Sequence, residues 1–465
     1  MNQHRWREAL NAIAPLARYH AGPDIDEAYR LLQEFYPDTE LFGFPSGDVC
    51  GTWTAPQGWT VKKGQLIGPE DQVVADYADH PLHLFAYSPS FSGTVTREEL
   101  EDHIFSDPDR SDAIPFHFRN QYRPWDAAWG FCLPHQLRTS LPSGSYRVEI
   151  ETEFFDTEMR MALQTHQGEL PDSLLLVGHF DHPAQAGDGL VGCLAGHEVL
   201  TRLAGRRTKL TYRMLSTIEI VGSVFYAGRR AQNDGVREAL FSAMSGVDAP
   251  VVYARSARER AAVDRIMEHL LLHWGGPSEC VGFREAVGND EIAYDVYGVD
   301  VPCGSLMRWP HPGYHTDRDE ATSMRDDHME AFIRLVERLI DVLEKNAVLT
   351  GTFQGLPQLG HPEIDLYVSP GSISGVPEGR DSTADRLLAR LPDEVARQEA
   401  GNAADRFNKM MTFLPPLADG RHTTLDIAER AGVPFALLDA YTDMWCEKGL
   451  MRKEWVNPFD EGINR

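Results

Sequence analysis

A chain of 465 residues exceeds the size at which one hydrophobic core stops growing, so two or three domains are expected. Its 42% hydrophobic and 25% charged content is ordinary for a globular protein and excludes a disordered or fibrous chain. The net charge of −26 is not ordinary: beyond solvating the surface, such a field repels nucleic acid and anionic lipid and favours neutral or cationic substrates.

Cys50, Cys132, Cys193, Cys280, Cys303 and Cys446 are scattered with no C-x-x-C pair, as in a reduced cytoplasmic protein. The N-terminal MNQHRWREALNAIAPLARYH lacks the apolar core of a signal peptide, and no run approaches the ~18–20 apolar residues of a membrane span. A cytoplasmic location is therefore expected.

In chain order, Leu10, Ile13, Ala14 and Ala17 fall at helical spacing, with Pro15 expected to kink or end that helix, and a second helix is predicted from Asp24 to Phe35. From Phe42 to about Leu141 short β-prone runs are broken by Gly and Pro, the texture of a separate β-rich module. Its aromatics, Trp53, Trp59, Phe85, Tyr87, Phe91, Trp125, Trp129 and Phe131, fit a small core that needs large side chains, or the rim of a substrate pocket. Strands resume with YRVEIETEFF, MRMALQTH and LLLVGHF, then, after a helix, TKLTYRMLSTIEIVGS. Strand, helix, strand with apolar runs predicts an α/β fold with a mixed or mostly parallel sheet.

The chemistry concentrates at Leu174–Leu200. Leu174 to Val177 fit a strand buried on both faces, and the run breaks at Gly178 into His179, Asp181, His182 and Asp188. In open α/β sheets ligands bind outside the carboxyl ends of strands, where these residues fall. Imidazoles and carboxylates are the usual ligands of a hydrolytic Zn²⁺, although such residues also cap helices and satisfy loops. Glu219, near the end of the next strand, fits a base or ligand equally with a strand-end salt bridge.

Asp248 follows beside another strand-like segment, then a helix from Ala257 to His273 and a polar loop carrying Asp290 and Glu291. A buried strand is predicted at Val299 to Met307, then Tyr314-His315-Thr316, then a helix from Asp326 to Lys345 with Phe332, Leu335, Val336, Leu339, Ile340 and Leu343 on one face. SPGSISGVPEGRDSTADR reads as a linker. Beyond it a helix from Thr424, a turn at Gly432, a helix from Pro434 to Lys448 and a following wing predict a winged helix. Asp439, Asp443 and Glu447 stand where a groove-reading helix would carry Arg, Lys or Asn, so intramolecular or subunit contact is expected there in place of nucleic-acid binding.

Several segments together resemble the aminopeptidase-like family of uncharacterised bacterial proteins, which joins a zinc-peptidase fold, an inserted β-rich domain and a C-terminal winged helix. The matching residues are His179-Phe180-Asp181-His182-Pro183, Gly187 to Gly192, Glu219 to Ser223, Asn289-Asp290-Glu291, Leu306-Met307-Arg308, Tyr314-His315-Thr316, Pro357 to Gly360 and Trp129 to Cys132. The resemblance implies a zinc aminopeptidase-like mixed sheet sandwiched by helices, made of 1–37 and 142–372, with 38–141 inserted and 373–465 as linker and winged helix. It implies that His179 and His315 lie on metal with Asp188 as carboxylate ligand, His182 as a further ligand or neighbour, and Asp181 orienting an imidazole. Glu219 is then the general base, Asp290 and Glu291 hold a substrate amine or a ligand, and Asp248 is a lower-ranked ligand. One or two Zn²⁺ ions are expected, since Gly187 and Val191 replace the family's Asn and Ser, and Asp317 departs after Tyr-His-Thr. The implied activity is hydrolysis of an amide beside a free amino group. The alternatives are a zinc amidase or cyclase-like enzyme acting on a non-peptide amide of a biosynthetic pathway, and a non-catalytic regulatory protein using its winged helix. A small peptide or amide substrate and a homo-oligomer are the expected partners, with no membrane.

Overall fold

A computed structural model describes residues 5–368, 383–393, 396–398 and 403–460. Packing divides the chain into two units, Met1–Ala257 with Val281–Ile333, and Arg258–Cys280 with Arg334–Arg465. Most of the predicted linker lies outside the described residues.

The first unit holds a run of seven sheet strands in the order Thr39–Pro45, Glu158–His166, Thr211–Thr217, Ser173–His179, Val236–Ser242, Cys303–Arg308 and Val251–Ala254. The four from Thr211–Thr217 to Cys303–Arg308 are parallel, and each strand outside them pairs antiparallel with its inner neighbour. Ser173–His179 sits mid-sheet and every residue of it is buried, which is why its sequence is an unbroken apolar run instead of an alternating one. Helix Leu190–Arg202 covers it, buried from Leu190 to Leu200. Only glycine allows that approach: a Cβ on Gly192 would lie 1.9 Å from the Ser242 carbonyl oxygen.

Polar groups inside this core are matched. His197 lies between Gln164 Oε1 at 2.8 Å and Ser216 Oγ at 2.9 Å, and burial pushes its imidazole down to about 3. The unfolded chain takes a proton near pH 6.5 whereas the folded chain refuses it until about pH 3, so this site costs stability as pH falls through that window. Urea unfolding is expected to lose on the order of a few kcal/mol between pH 7 and 4 from this group. His197→Gln should flatten that part of the slope; an unchanged slope would exclude His197 as its source.

The segment between Thr39–Pro45 and Glu158–His166 builds a four-stranded antiparallel sheet in the order Val73–Asp76, Gly58–Ile67, Ser145–Phe155 and Phe91–Thr96. Two strands fall across the expected boundaries of 38 and 141. Thr39–Pro45 pairs with Glu158–His166 in the large sheet, and Ser145–Phe155 belongs to the small one, because register follows backbone pairing and not composition. Trp59, Phe85, Tyr87 and Phe131 are buried in the insert's core, whereas Trp125 is exposed.

Helix Arg5–Ile13 ends before Pro15, as expected. Other elements start or stop elsewhere than expected. The predicted strand through Ser223 stops at Thr217 and turns into helix Val221–Arg229, since Val221 and Phe225 bury as helical neighbours. The strand predicted at Val299 to Met307 is Cys303–Arg308.

In the second unit, Ala347–Gly351 lies between Asp419–Thr423 and Met451–Trp455 in an antiparallel sheet. Thr423 and Asp426 cap helix Thr424–Ala431 reciprocally, and Gly432 ends it at φ 63° before helix Phe435–Glu447. The acids of that second helix have partners within the unit: Lys453 reaches Asp439 at 2.6 Å and Asp443 at 2.5 Å, and Arg390 reaches Glu447 at 2.7 Å. Among the described residues no helix is long and apolar enough to cross a membrane.

Candidate metal centre

Parallel strands all point their carboxyl ends one way, so the loops after Ser173–His179, Thr211–Thr217 and Cys303–Arg308 open on the same edge of the sheet. His179 is the last residue of its strand, Glu219 lies two residues past the next, and His315 follows the third. His182, Ala184, Ile220 and His315 all have positive φ, at 115°, 52°, 58° and 56°. Non-glycine residues adopt this backbone only where surroundings hold them in it, and such strain clusters at functional sites.

Asp188 is the hub. Its Oδ1 lies 3.0 Å from His179 Nε2, and its Oδ2 lies 3.0 Å from His315 Nε2 and 3.3 Å from His182 Nδ1. His182 Nε2 faces Glu219 Oε2 at 3.4 Å. Tyr122, delivered by the insert, donates its hydroxyl to that same Glu219 oxygen. Asp290 accepts from His179 Nδ1 at 3.0 Å and from the Ile220 amide at 2.8 Å, which fixes the imidazole so that Nε2 points at the hub.

The residues fit a divalent cation. Asp188 Oδ2 and His315 Nε2 face each other at 3.0 Å while neither makes a hydrogen bond. Buried polar atoms are normally paired, so two such atoms aimed together point to a shared ligand. His179, His182 and Asp188 each offer a ligand atom, all within 4.8 Å of one another, and a nitrogen and oxygen donor set of this kind suits zinc. The electrostatics agree. Burial opposes charge on His179 and His182, yet the Asp188 carboxylate overcomes it and both imidazoles are raised, His182 to about 10. Against their own burial, Asp188 and Glu219 are held well below the usual carboxylate range by these same imidazoles. Positive charge is thus strongly stabilised at this point.

Sequence reasoning named His179, His182, Asp188, Glu219, Asp290 and His315, and the fold brings all six together. Other assignments need correction. Asp181, expected to orient an imidazole, lies 3.3 Å from His20 Nε2 and accepts from the Glu219 amide at 2.8 Å, whereas the carboxylate on the His179 imidazole is Asp290. Glu291 is tied to the Asn289 amide and to Arg284 at 2.8 Å, so its charge is spent on its own loop. Asp248 is exposed and faces Arg325 and His328 at 3.3 and 3.8 Å, away from the buried cluster.

Other contributors carried no local signal. Asp319 accepts from the Gly187 and Asp188 amides at 2.6 and 2.9 Å and so presents the hub carboxylate. A Cβ on Gly187 would stand 2.7 Å from Asp319 Oδ1, which explains glycine where relatives were expected to carry asparagine. The buried Arg18 guanidinium donates to the carbonyl of Ile13 at 2.6 Å, the last residue of the first helix, and to those of Phe180 at 2.8 Å and Gln185 at 2.6 Å, stitching that helix to the ligand loop.

Residues 7–346 match the family described as Domain of unknown function (DUF4910). The chain belongs to that family. The DUF4910 match takes in every residue of the cluster. A Clostridium acetobutylicum protein, provisionally named for polysaccharide biosynthesis with an aminopeptidase-like domain, is 26% identical over 434 residues, spanning 92% of this chain and 91% of that one. A crystal structure of a provisionally named peptidase from Clostridium acetobutylicum superposes with a TM-score of 0.78 at 22% identity, over 97% of this chain and 96% of that one. BSAP, a zinc aminopeptidase from Bacillus subtilis, gives a TM-score of 0.53 at 10% identity, over 72% of this chain and 94% of its own. This DUF4910 chain therefore has the aminopeptidase-type fold.

Proposed function

We propose that the protein is a metal-dependent hydrolase of aminopeptidase type, cleaving an amide bond next to a free amino group with one or two Zn²⁺ ions. The observation that carries this is the convergence of His179, His182 and His315 on the Asp188 carboxylate, with Asp188 Oδ2 and His315 Nε2 buried and unbonded at 3.0 Å. His179, Asp188 and His315 would hold an ion, with His182 adjoining. Such an ion would supply Lewis acidity to the substrate carbonyl and acidify water beside Glu219 toward a pKa of ~7.

The chain's own groups do the rest. Glu219, kept ionised and fixed by the Tyr122 hydroxyl, His182 and the Asp181 contact to its amide, would take the proton of attacking water and pass it to the leaving amine. Tyr122 stays protonated, because burial and the Glu219 charge raise its hydroxyl well above its usual range, so it donates throughout. The net charge of −26 favours a substrate that carries an ammonium group.

A narrower reading places the substrate among non-peptide amides of a biosynthetic pathway. The provisional name of the Clostridium acetobutylicum relative, which points to polysaccharide biosynthesis, favours it. The test is a panel of aminoacyl amides and N-acylated compounds, including acylated amino sugars, assayed before and after chelation. Hydrolysis is expected to vanish with chelator and return with Zn²⁺. Turnover that persists without metal would defeat the assignment.

A further inference from the structure

Solvent touches only part of the cluster. His315 is 17% and Glu219 15% exposed, whereas the side chains of His179, His182, Asp188 and Asp290 are 1% or less. A reacting molecule therefore arrives at His315 and Glu219. Phe118 stands beside His315, its ring 5.1 Å from the imidazole, and 6.1 Å from the ring of Tyr122, whose hydroxyl reaches Glu219.

Phe118 is 37% exposed, so part of its apolar surface is open where solvent reaches the cluster. It is also braced. Phe116, buried, lies 5.6 Å behind it and donates its amide to the His315 carbonyl at 2.9 Å, and Pro115 pairs with Thr316. On the His315 ring itself Tyr314 stacks at 4.0 Å. The insert thus holds an apolar surface in fixed register with the loop that carries His315.

We infer that Phe118 is a specificity-determining residue, the wall on which the substrate group next to the amine packs, and that the preferred substrates are primary amines bearing an apolar or planar group there. This wall belongs to the hydrolase reading above, yet ligand binding tests it without turnover.

The probes are L-phenylalaninol, L-leucinol and L-alaninol, which keep the amine and side chain but contain no amide. Titrated calorimetrically into the zinc-loaded full chain, the first two are expected to bind roughly tenfold more tightly than alaninol. Phe118→Ala should cut that advantage to about twofold while zinc content and alaninol affinity stay unchanged, and Phe118→Leu should keep most of it for leucinol. Failure of the native chain to bind or to discriminate among the three, or an equal loss for all three in Phe118→Ala, would overturn the inference. Hydrolysis of L-alaninamide by the native chain separates the two readings. Discrimination without turnover keeps the wall and removes the hydrolase, and turnover without discrimination does the reverse.

Discussion

Asp188→Asn is expected to strip the protein of zinc and to lower turnover by at least about a thousandfold. Three imidazoles gather on this one carboxylate, so neutralising it removes the charge that holds them together and leaves their positive charge uncompensated in a buried site. Elemental analysis and single-turnover assays on the folded variant check this together. Zinc retained at the native level would show that the ion sits elsewhere and that Asp188 serves packing alone. A fall in zinc without loss of turnover would sink the metal-dependent mechanism.

Glu219→Gln separates the two roles left open for that residue. As the proton acceptor it is worth roughly 10²–10⁴ in kcat, with zinc content and KM little changed. Glutamine keeps the size and the acceptor for the Tyr122 hydroxyl, so the fold and the Phe118 wall should survive. Should zinc be lost along with activity, Glu219 is a ligand, and the base must be sought among the other acids of the cluster. Tyr122→Phe then serves as the milder companion, since it removes one hydrogen bond to Glu219 and leaves the charge.

Much of this was legible in the chain. The helix predicted from Asp326 to Lys345 has those bounds, because its apolar residues repeat every three to four positions over twenty residues and admit no other period. Gly432 ends its helix where a turn was expected, with a φ of 63° that glycine accepts without strain. The strand through Ser223 was misread because Ile218, Ile220 and Val221 continue an apolar run that sequence cannot tell from a strand, whereas burial of Val221 and Phe225 at helical spacing bends the chain into a helix. The resemblance implies that Asp181 orients an imidazole. Side-chain direction puts it at His20, and the carboxylate that meets His179 Nδ1 comes from residue 290.

Sequence alone determined the α/β class, the strand that ends in His179 and the gathering of His179, His182 and Asp188 within ten residues, since these follow from apolar periodicity and local spacing. That Asp290 and His315, more than a hundred residues away, close on the same point was legible only through the family resemblance, and tertiary structure alone brings Tyr122 and Phe118 to it from the insert. The physical reason is that parallel strands bring distant loops to one sheet edge, and which side chains then meet depends on backbone direction and packing across the whole unit, a quantity no local window of residues contains.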